Sequence, residues 1–243
     1  MGEDMDVQTS TNLGNRLGNE DALGYKIIGD RALFVLCDGV GGESHGEVAS
    51  ALVKESLLDD FEHHYSAKFL DEAIMHAQEL LLAKQKEEHE DGMKTTLTVL
   101  LIDGKEAQYA HVGDSRIYHF EKDKIVERTM DHSVAQMLVL AGDIKEKQIR
   151  NHPDRSALLR VMGMVWDEPA YSKSDRFPIG EESAFLLCSD GFWEPISEKV
   201  MMKCLKRHTC KEWLDHMNEA IAKKIRKTTN ADNYSAIAIK MGE

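Results

Sequence analysis

The chain has 243 residues, 42% hydrophobic and 30% charged, enough to close one large core, and a single globular domain is expected. Its purely apolar runs, such as residues 32–37 and 99–102, fall far short of the roughly 18 residues a membrane span requires, which excludes a transmembrane protein. Thirty Lys and Arg against 43 Asp and Glu leave a net charge of −13 with no basic patch, so neither nucleic acid nor an anionic membrane surface is an expected partner.

Residues 1–6 are acidic where a secretory signal would be basic and then apolar, and Asp6 occupies the position where N-myristoylation of Gly2 would need Ser or Thr. Four cysteines (37, 188, 204, 210) without a Cys-x-x-Cys pair read as small buried hydrophobes, and a cytoplasmic location follows. Residues 32–37 then form a first apolar run ending at Asp38-Gly39. Ala49, Leu52, Val53, Leu57 and Phe61 mark one face of a helix from Gly46 to about Phe61. Leu70, Ala73, Ile74, Ala77 and Leu81 mark a second, and the mixed charge run 84–91 is its solvated end.

Short β-branched and aromatic runs follow at 95–102, 108–112, 117–120 and 124–129. Asp103-Gly104 and Lys122-Asp123 between them are turn signals, so the pairs are antiparallel hairpins. Residues 131–178 break this rhythm with helical segments at 134–141, 146–150 and 158–162, with Pro153 and Pro169, and with no strong strand, as an inserted flap would. A strand at 183–188, a helix carrying Leu214, Met217, Ile221 and Ile225, and a strand at 234–240 complete the chain. No Gly/Ser-rich linker and no tandem repeat interrupts it. The expected fold is α+β, with helices packed outside antiparallel sheets, in one domain spanning residues 5–243.

Two apolar runs end alike, at Cys37-Asp38-Gly39 and at Cys188-Ser189-Asp190-Gly191. A strand that stops at Asp-Gly fixes a carboxylate on the sheet rim, while glycine lets backbone or ligand approach closely. Asn19-Glu20-Asp21, Gly113-Asp114-Ser115 and Asp232-Asn233 also place carboxylates at strand boundaries. Such a gathering repels itself unless cations neutralise it, and an all-oxygen donor set suits Mg²⁺ or Mn²⁺ better than Zn²⁺. A metal pair sharing a water lowers its pKa and yields hydroxide for attack on phosphorus or carbonyl carbon, which is hydrolase chemistry.

Arg16-x-x-Asn19-Glu20-Asp21, Asp38-Gly39-Val40-Gly41-Gly42 with Gly46-Glu47-Val48-Ala49-Ser50, Thr95-Thr96, His111 to Tyr118, Thr129-x-Asp131-His132-Ser133, Ser189-Asp190-Gly191 and Asp232-Asn233 together resemble the ordered motifs of the type 2C metal-dependent protein phosphatases, bacterial branch. The resemblance covers roughly residues 8 to 240. It implies a four-layer α-β-β-α sandwich, two antiparallel sheets flanked by helices, with a flap subdomain at about 131–178. It implies two Mn²⁺ or Mg²⁺ ions held by Asp21, bridging Asp38, the Gly39 carbonyl, Asp190 and Asp232, with Glu20 in an outer shell. Asp114 with Asp190 would hold a third, weaker ion, and Arg16 would bind the substrate phosphate with its planar fork.

The implied activity is hydrolysis of phosphoserine and phosphothreonine in proteins by direct attack of a metal-bridging hydroxide, with Asp38 and Arg16 as catalytic residues. Phosphoproteins, including a serine/threonine kinase or its targets, would be the partners. A catalytically weak phosphoprotein-binding module and a small-phosphoester hydrolase are the alternatives. Lys94 stands where many members have glycine, Glu43 where bacterial members often have histidine, and Val40 where eukaryotic members carry the histidine held to be the general acid. The general acid is therefore unassigned, with His45 and a metal-bound water as equal candidates. In the flap, Leu159 and Met162 are expected to pack, and Arg155 and Arg160 to pack or to face a phosphopeptide.

Overall fold

The apolar runs pair into two antiparallel sheets in the computed structural model, which describes residues 5–40, 45–203, 205 and 209–242. The first sheet has the order β1 (Met5–Asn12), β12 (Tyr234–Met241), β11 (Ser183–Cys188), β7 (Arg116–Glu121) and β8 (Lys124–Arg128). The second contains β2 (Asp21–Ile28), β3 (Arg31–Val40), β5 (Leu97–Asp103) and β6 (Glu106–Val112). Short strands extend it: β4 (Lys94–Thr95) lies on β3, and β9 (Ser172–Lys173) and β10 (Phe177–Pro178) lie on β6.

Both faces of the central strands are covered, which is why they read as nearly continuous apolar runs rather than alternating ones. On β3, Leu33, Val35 and Cys37 face a core shared with α1 (Gly46–His63) and α2 (Phe69–Glu88), whereas Ala32, Phe34 and Leu36 face the opposite sheet. On β11, Phe185 and Leu187 join that inter-sheet core, and Ala184, Leu186 and Cys188 pack against Trp213, Leu214 and Met217 of α6 (Cys210–Ile225). The result is the four-layer arrangement of helices, sheet, sheet and helices. Each fully buried Leu, Ile, Val or Phe contributes about 1.5–3 kcal/mol, so these stripes hold the layers in place.

Local signals act as expected at several points. Lys122 and Asp123 take φ of 50° and 65°, the left-handed pair that a tight two-residue hairpin turn needs. Thr209 accepts from the Glu212 N–H and Glu212 reaches back to the Thr209 N–H, a capping box that starts α6. Cys37, Cys188 and Cys210 are buried, and burial pushes all three thiols up, so they are protonated core groups rather than nucleophiles. Gly2, Gly41, Gly42, Glu43 and Cys204, singled out in the sequence, lie outside the described residues. Among the described residues no helix is long and apolar enough to cross a membrane.

The region 131–178 departs in part from its reading. The helix α3 (Val134–Ala141) forms as expected, capped by Ser133, and a 3-10 helix covers Glu146–Asn151. Residues 158–162, expected to be helical, are instead strung out between two isolated bridges, Ser133 to Leu158 and Thr95 to Met162. Those partners satisfy the backbone of Met162 from another element, through N–H···O bonds exchanged with Thr95, so no helix is needed. Leu159, expected to pack, is 45% exposed, while Met162 is fully buried and belongs to the core beneath α1 and α2. Near the end of the region, β9 and β10 pin the chain to the edge of β6.

Candidate active site

The register between β2 and β3 sets Asp21 directly opposite Asp38, so two carboxylates share the end of one strand pair. Asp190 stands two residues past the end of β11 and opens the short helix α4 (Asp190–Trp193), Asp232 precedes β12, and Asp114 lies in the connection from β6 to β7. All these strand ends meet at one end of the sandwich. A cleft of about 570 Å³ opens there, and Arg16, Glu20, Asp38, Gly39, Asp114, Asp190 and Asp232 line it. Asp21, outside that lining, is held by the Ser189 hydroxyl at 3.0 Å, while its Oδ1 is buried without a hydrogen-bond partner. His45 is absent from the lining, exposed just before α1, whereas Val40 contributes to the wall.

Close backbone packing makes this convergence possible. A Cβ on Gly39 would meet the Gly46 carbonyl group at 2.5 Å, and one on Gly46 would meet the Glu20 carboxylate at 2.7 Å. Glycine at both crossings lets α1 start against the end of β3. Asn233 clasps the other side: its Oδ1 accepts from the Glu20 N–H at 2.9 Å, and its amide donates to the carbonyls of Leu13 and Gly18 at 3.0 Å. Thr96 Oγ1 accepts from the Asp38 N–H at 3.0 Å and bonds Ser115 Oγ at 2.7 Å, which fixes the floor. The sequence reading assigned no role to Asn233, Ser189 or Ser115, although each adjoins a carboxylate in a recognised motif.

The electrostatics of the bare cleft are strongly unfavourable. Burial, and then the charges of Asp21, Asp190, Asp114 and Asp232, hold the Asp38 carboxyl well above its ordinary range. Burial followed by Asp114, Glu194, Asp232 and Asp21 does the same to Asp190. Asp21 is pushed up to about 6 and Asp114 to about 7, in each case chiefly by burial. Burial also raises Glu20, against the opposing pull of Arg16. Arg16 Nη2 lies 2.9 Å from Asp232 Oδ2, the only ion pair that Arg16 makes among the described residues.

This donor set fits divalent cations. It offers carboxylate oxygens throughout, an orphaned buried oxygen on Asp21, and a concentration of negative charge that only cations or protons can relieve. Among the described residues, however, no three His, Cys, Asp or Glu side chains already form a group that could hold a metal ion as they stand. Among the described residues the carboxylates are brought to one cleft and not into a finished ligand set.

Beside the cleft, the His111 and His132 rings stack with centroids 4.6 Å apart. The Gly113 N–H donates to His132 Nδ1 at 3.3 Å, so Nε2 carries the proton toward Ser172 Oγ at 2.9 Å and the ring is neutral. Burial, then His111 and Arg160, depress His132 to about 3. A histidine depressed on folding favours the fold above its ordinary value of 6.5, and that contribution is lost as pH falls toward 3. Urea unfolding at pH 7 and pH 5 should show wild type losing on the order of 2 kcal/mol more than His132→Gln. Equal losses would contradict a neutral buried imidazole.

The arrangement has close parallels. A family model described as protein phosphatase 2C matches residues 10–232. The serine/threonine protein phosphatase PstP of Mycobacterium tuberculosis is 34% identical over 195 residues, covering 79% of this chain and 37% of that protein, so the chain spans well under half of that relative's length. The serine/threonine phosphatase stp of Listeria innocua is 28% identical over 233 residues, 91% of this chain and 90% of that one. A crystal structure of the PstP catalytic domain in complex with two manganese ions superposes with a TM-score of 0.82 at 26% identity, covering 98% of this chain and 99% of that one.

Proposed function

This chain belongs to the protein phosphatase 2C family, and on that premise we propose that it is a metal-dependent hydrolase of phosphoserine and phosphothreonine in proteins. The observation that carries the proposal is the register of Asp21 against Asp38 at a cleft that Asp114, Asp190, Asp232 and Arg16 also line. Its substrates would then be proteins phosphorylated by a serine/threonine kinase.

Asp21, Asp38, the Gly39 carbonyl, Asp190 and Asp232 would hold two Mn²⁺ or Mg²⁺ ions, with Glu20 behind them and Asp114 with Asp190 at a third position. When bound, such ions activate water and neutralise charge on the phosphoryl group. The chain's own residues do the positioning. Asp38, fixed by Thr96, stands at the centre of the set, and Ser189 orients Asp21. Arg16 uses one nitrogen on Asp232 and keeps its remaining N–H donors for phosphate oxygens. Residues 131–178 act as a flap, adding Ser156 and Leu158 to the cleft wall.

Release of phosphate from a phosphothreonine peptide, with Mn²⁺ and then with excess chelator, tests the proposal. Metal-dependent release is expected. Turnover of small phosphoesters alone would point to a metabolite hydrolase, and metal binding without any turnover would point to a regulatory module. Arg16→Ala should lower kcat/KM by about 10–100-fold through loss of charge-assisted phosphate contacts. An unchanged kcat/KM would remove Arg16 from the site.

A further inference from the structure

Lys94 occupies an outward position in the same row of side chains that forms the cleft. On β5 and its continuation into β4, Leu97, Val99 and Leu101 face the helices, whereas Leu100 and Ile102 face the opposite sheet. Lys94 has the parity of Leu100, Ile102 and Thr96, and Thr96 lines the cleft. The neighbouring strand gives the same answer independently. Lys94 pairs directly with Val40, and directly paired residues project to one side of a sheet. Val40 follows Asp38 by two along β3, and both line the cleft. Lys94 therefore stands one step beyond the carboxylates, on their side of the sheet.

Its charge has no carboxylate partner among the described residues. Of the other cations near the opening, Arg16 is paired with Asp232 and Arg155 with Glu194. Lys94 is half-buried and makes no ion pair or hydrogen bond through its ammonium group among the described residues. A half-buried lysine without a carboxylate partner among the described residues stands out in a chain with a net charge of −13.

We propose that Lys94 selects phosphoprotein substrates carrying an anionic side chain, carboxylate or phosphate, close to the residue being dephosphorylated. The inference rests on the phosphatase reading above and names its substrate class. A strand advances about 3.3 Å per residue, so Lys94 is about 7 Å along the row from Thr96. With the phosphorylated residue taken to sit over the carboxylates beside Thr96, an extended peptide covers the same distance in two residues, which puts the anionic group about two positions from the phosphorylated one.

The test compares phosphothreonine peptides of one sequence with Glu, Gln or phosphoserine two positions before or after the phosphothreonine. Wild type should show kcat/KM about fivefold higher for the Glu peptide than for the Gln peptide on one of the two sides, the effect of one partly exposed ion pair. The preference should shrink at high salt, survive in Lys94→Arg, and disappear in Lys94→Gln. A phosphoserine peptide favoured where Glu is not would identify phosphate as the anion that is read. The same Glu-to-Gln and phosphoserine-to-Gln ratios in wild type and Lys94→Gln would overturn the proposal. No turnover of any peptide by wild type would instead overturn the phosphatase reading on which it rests.

Discussion

Asp38→Asn should lower metal-dependent turnover by at least about a thousandfold while making the chelated protein more stable than wild type. The two effects have one origin. In the bare fold Asp38 is surrounded by Asp21, Asp190, Asp114 and Asp232, whose charges add to burial in opposing its ionisation. Asparagine keeps the shape and the backbone N–H bond to Thr96 but removes the central charge, which should raise the unfolding free energy at pH 8 by about 1–2 kcal/mol. The same charge is what cations would bind. A ligand at 100 times its Kd stabilises a fold by about 2.7 kcal/mol, so Mn²⁺ should raise the wild-type midpoint by about 5–10 °C and the variant's hardly at all. Thermal unfolding with and without chelator measures both quantities, and a variant that still responds to Mn²⁺ like wild type would take Asp38 out of the metal site.

The pH profile of the chelated protein carries the same signature. Asp21 and Asp114 rise on folding from an ordinary 3.8 to about 6 and about 7. A carboxyl raised on folding holds its proton more tightly in the folded state, so its contribution is complete below 3.8 and is lost as pH climbs through the folded value. Stability of the wild type without metal should therefore fall from pH 4 to pH 7, and added Mn²⁺ should reverse the fall at the upper end. Asp38→Asn should flatten the slope, because Asp38 is itself raised on folding and asparagine no longer titrates.

What the sequence made legible followed from how completely each element is buried. The runs at 32–37 and 183–188 are covered on both faces, so composition alone marked them, and their common Asp-Gly ending pointed to the cleft. Met5–Asn12 was not marked as a strand, and Asp21–Ile28 only by the carboxylate at its start, because each lies at a sheet edge with half-exposed, mixed side chains whose partners are β12 and β3. The segment 158–162 has an apolar spacing compatible with a helix, but Thr95 and Ser133 capture its backbone from afar. The carboxylates were legible because chemistry restricts which residues can do that work. Their supports, Asn233, Ser189 and Ser115, were not, since a buried amide or hydroxyl has no pattern in one dimension.

The largest loss of stability is expected from Arg116→Met. Arg116 Nε and Nη2 donate to the two oxygens of Asp131 at 2.8 and 2.7 Å, and the two side chains are only 2% and 1% exposed. The guanidinium also lies 3.3 Å from the centre of the Trp193 ring, and Trp193 Nε1 donates to the Asp114 carbonyl at 3.0 Å. Methionine fills much of the volume but leaves Asp131 charged, buried and unpaired, which costs about 3–5 kcal/mol and should lower the melting midpoint by about 10 °C. Asp131→Leu alone should cost a comparable amount by stranding the guanidinium. The double variant should be more stable than either single one, because two apolar groups leave no buried charge, and a double-mutant cycle reads that coupling directly. Additive losses would show that the pair is not a coupled unit. The arginine also tempers Asp114, whose carboxyl it pulls down against burial, Asp131 and Glu194. The double variant removes Asp131 and Arg116 together and so leaves Asp114 with little net change in charge nearby. It should recover metal-dependent turnover along with stability, whereas a pair that oriented Asp114 through Trp193 and not through charge would leave turnover low even after the fold is restored.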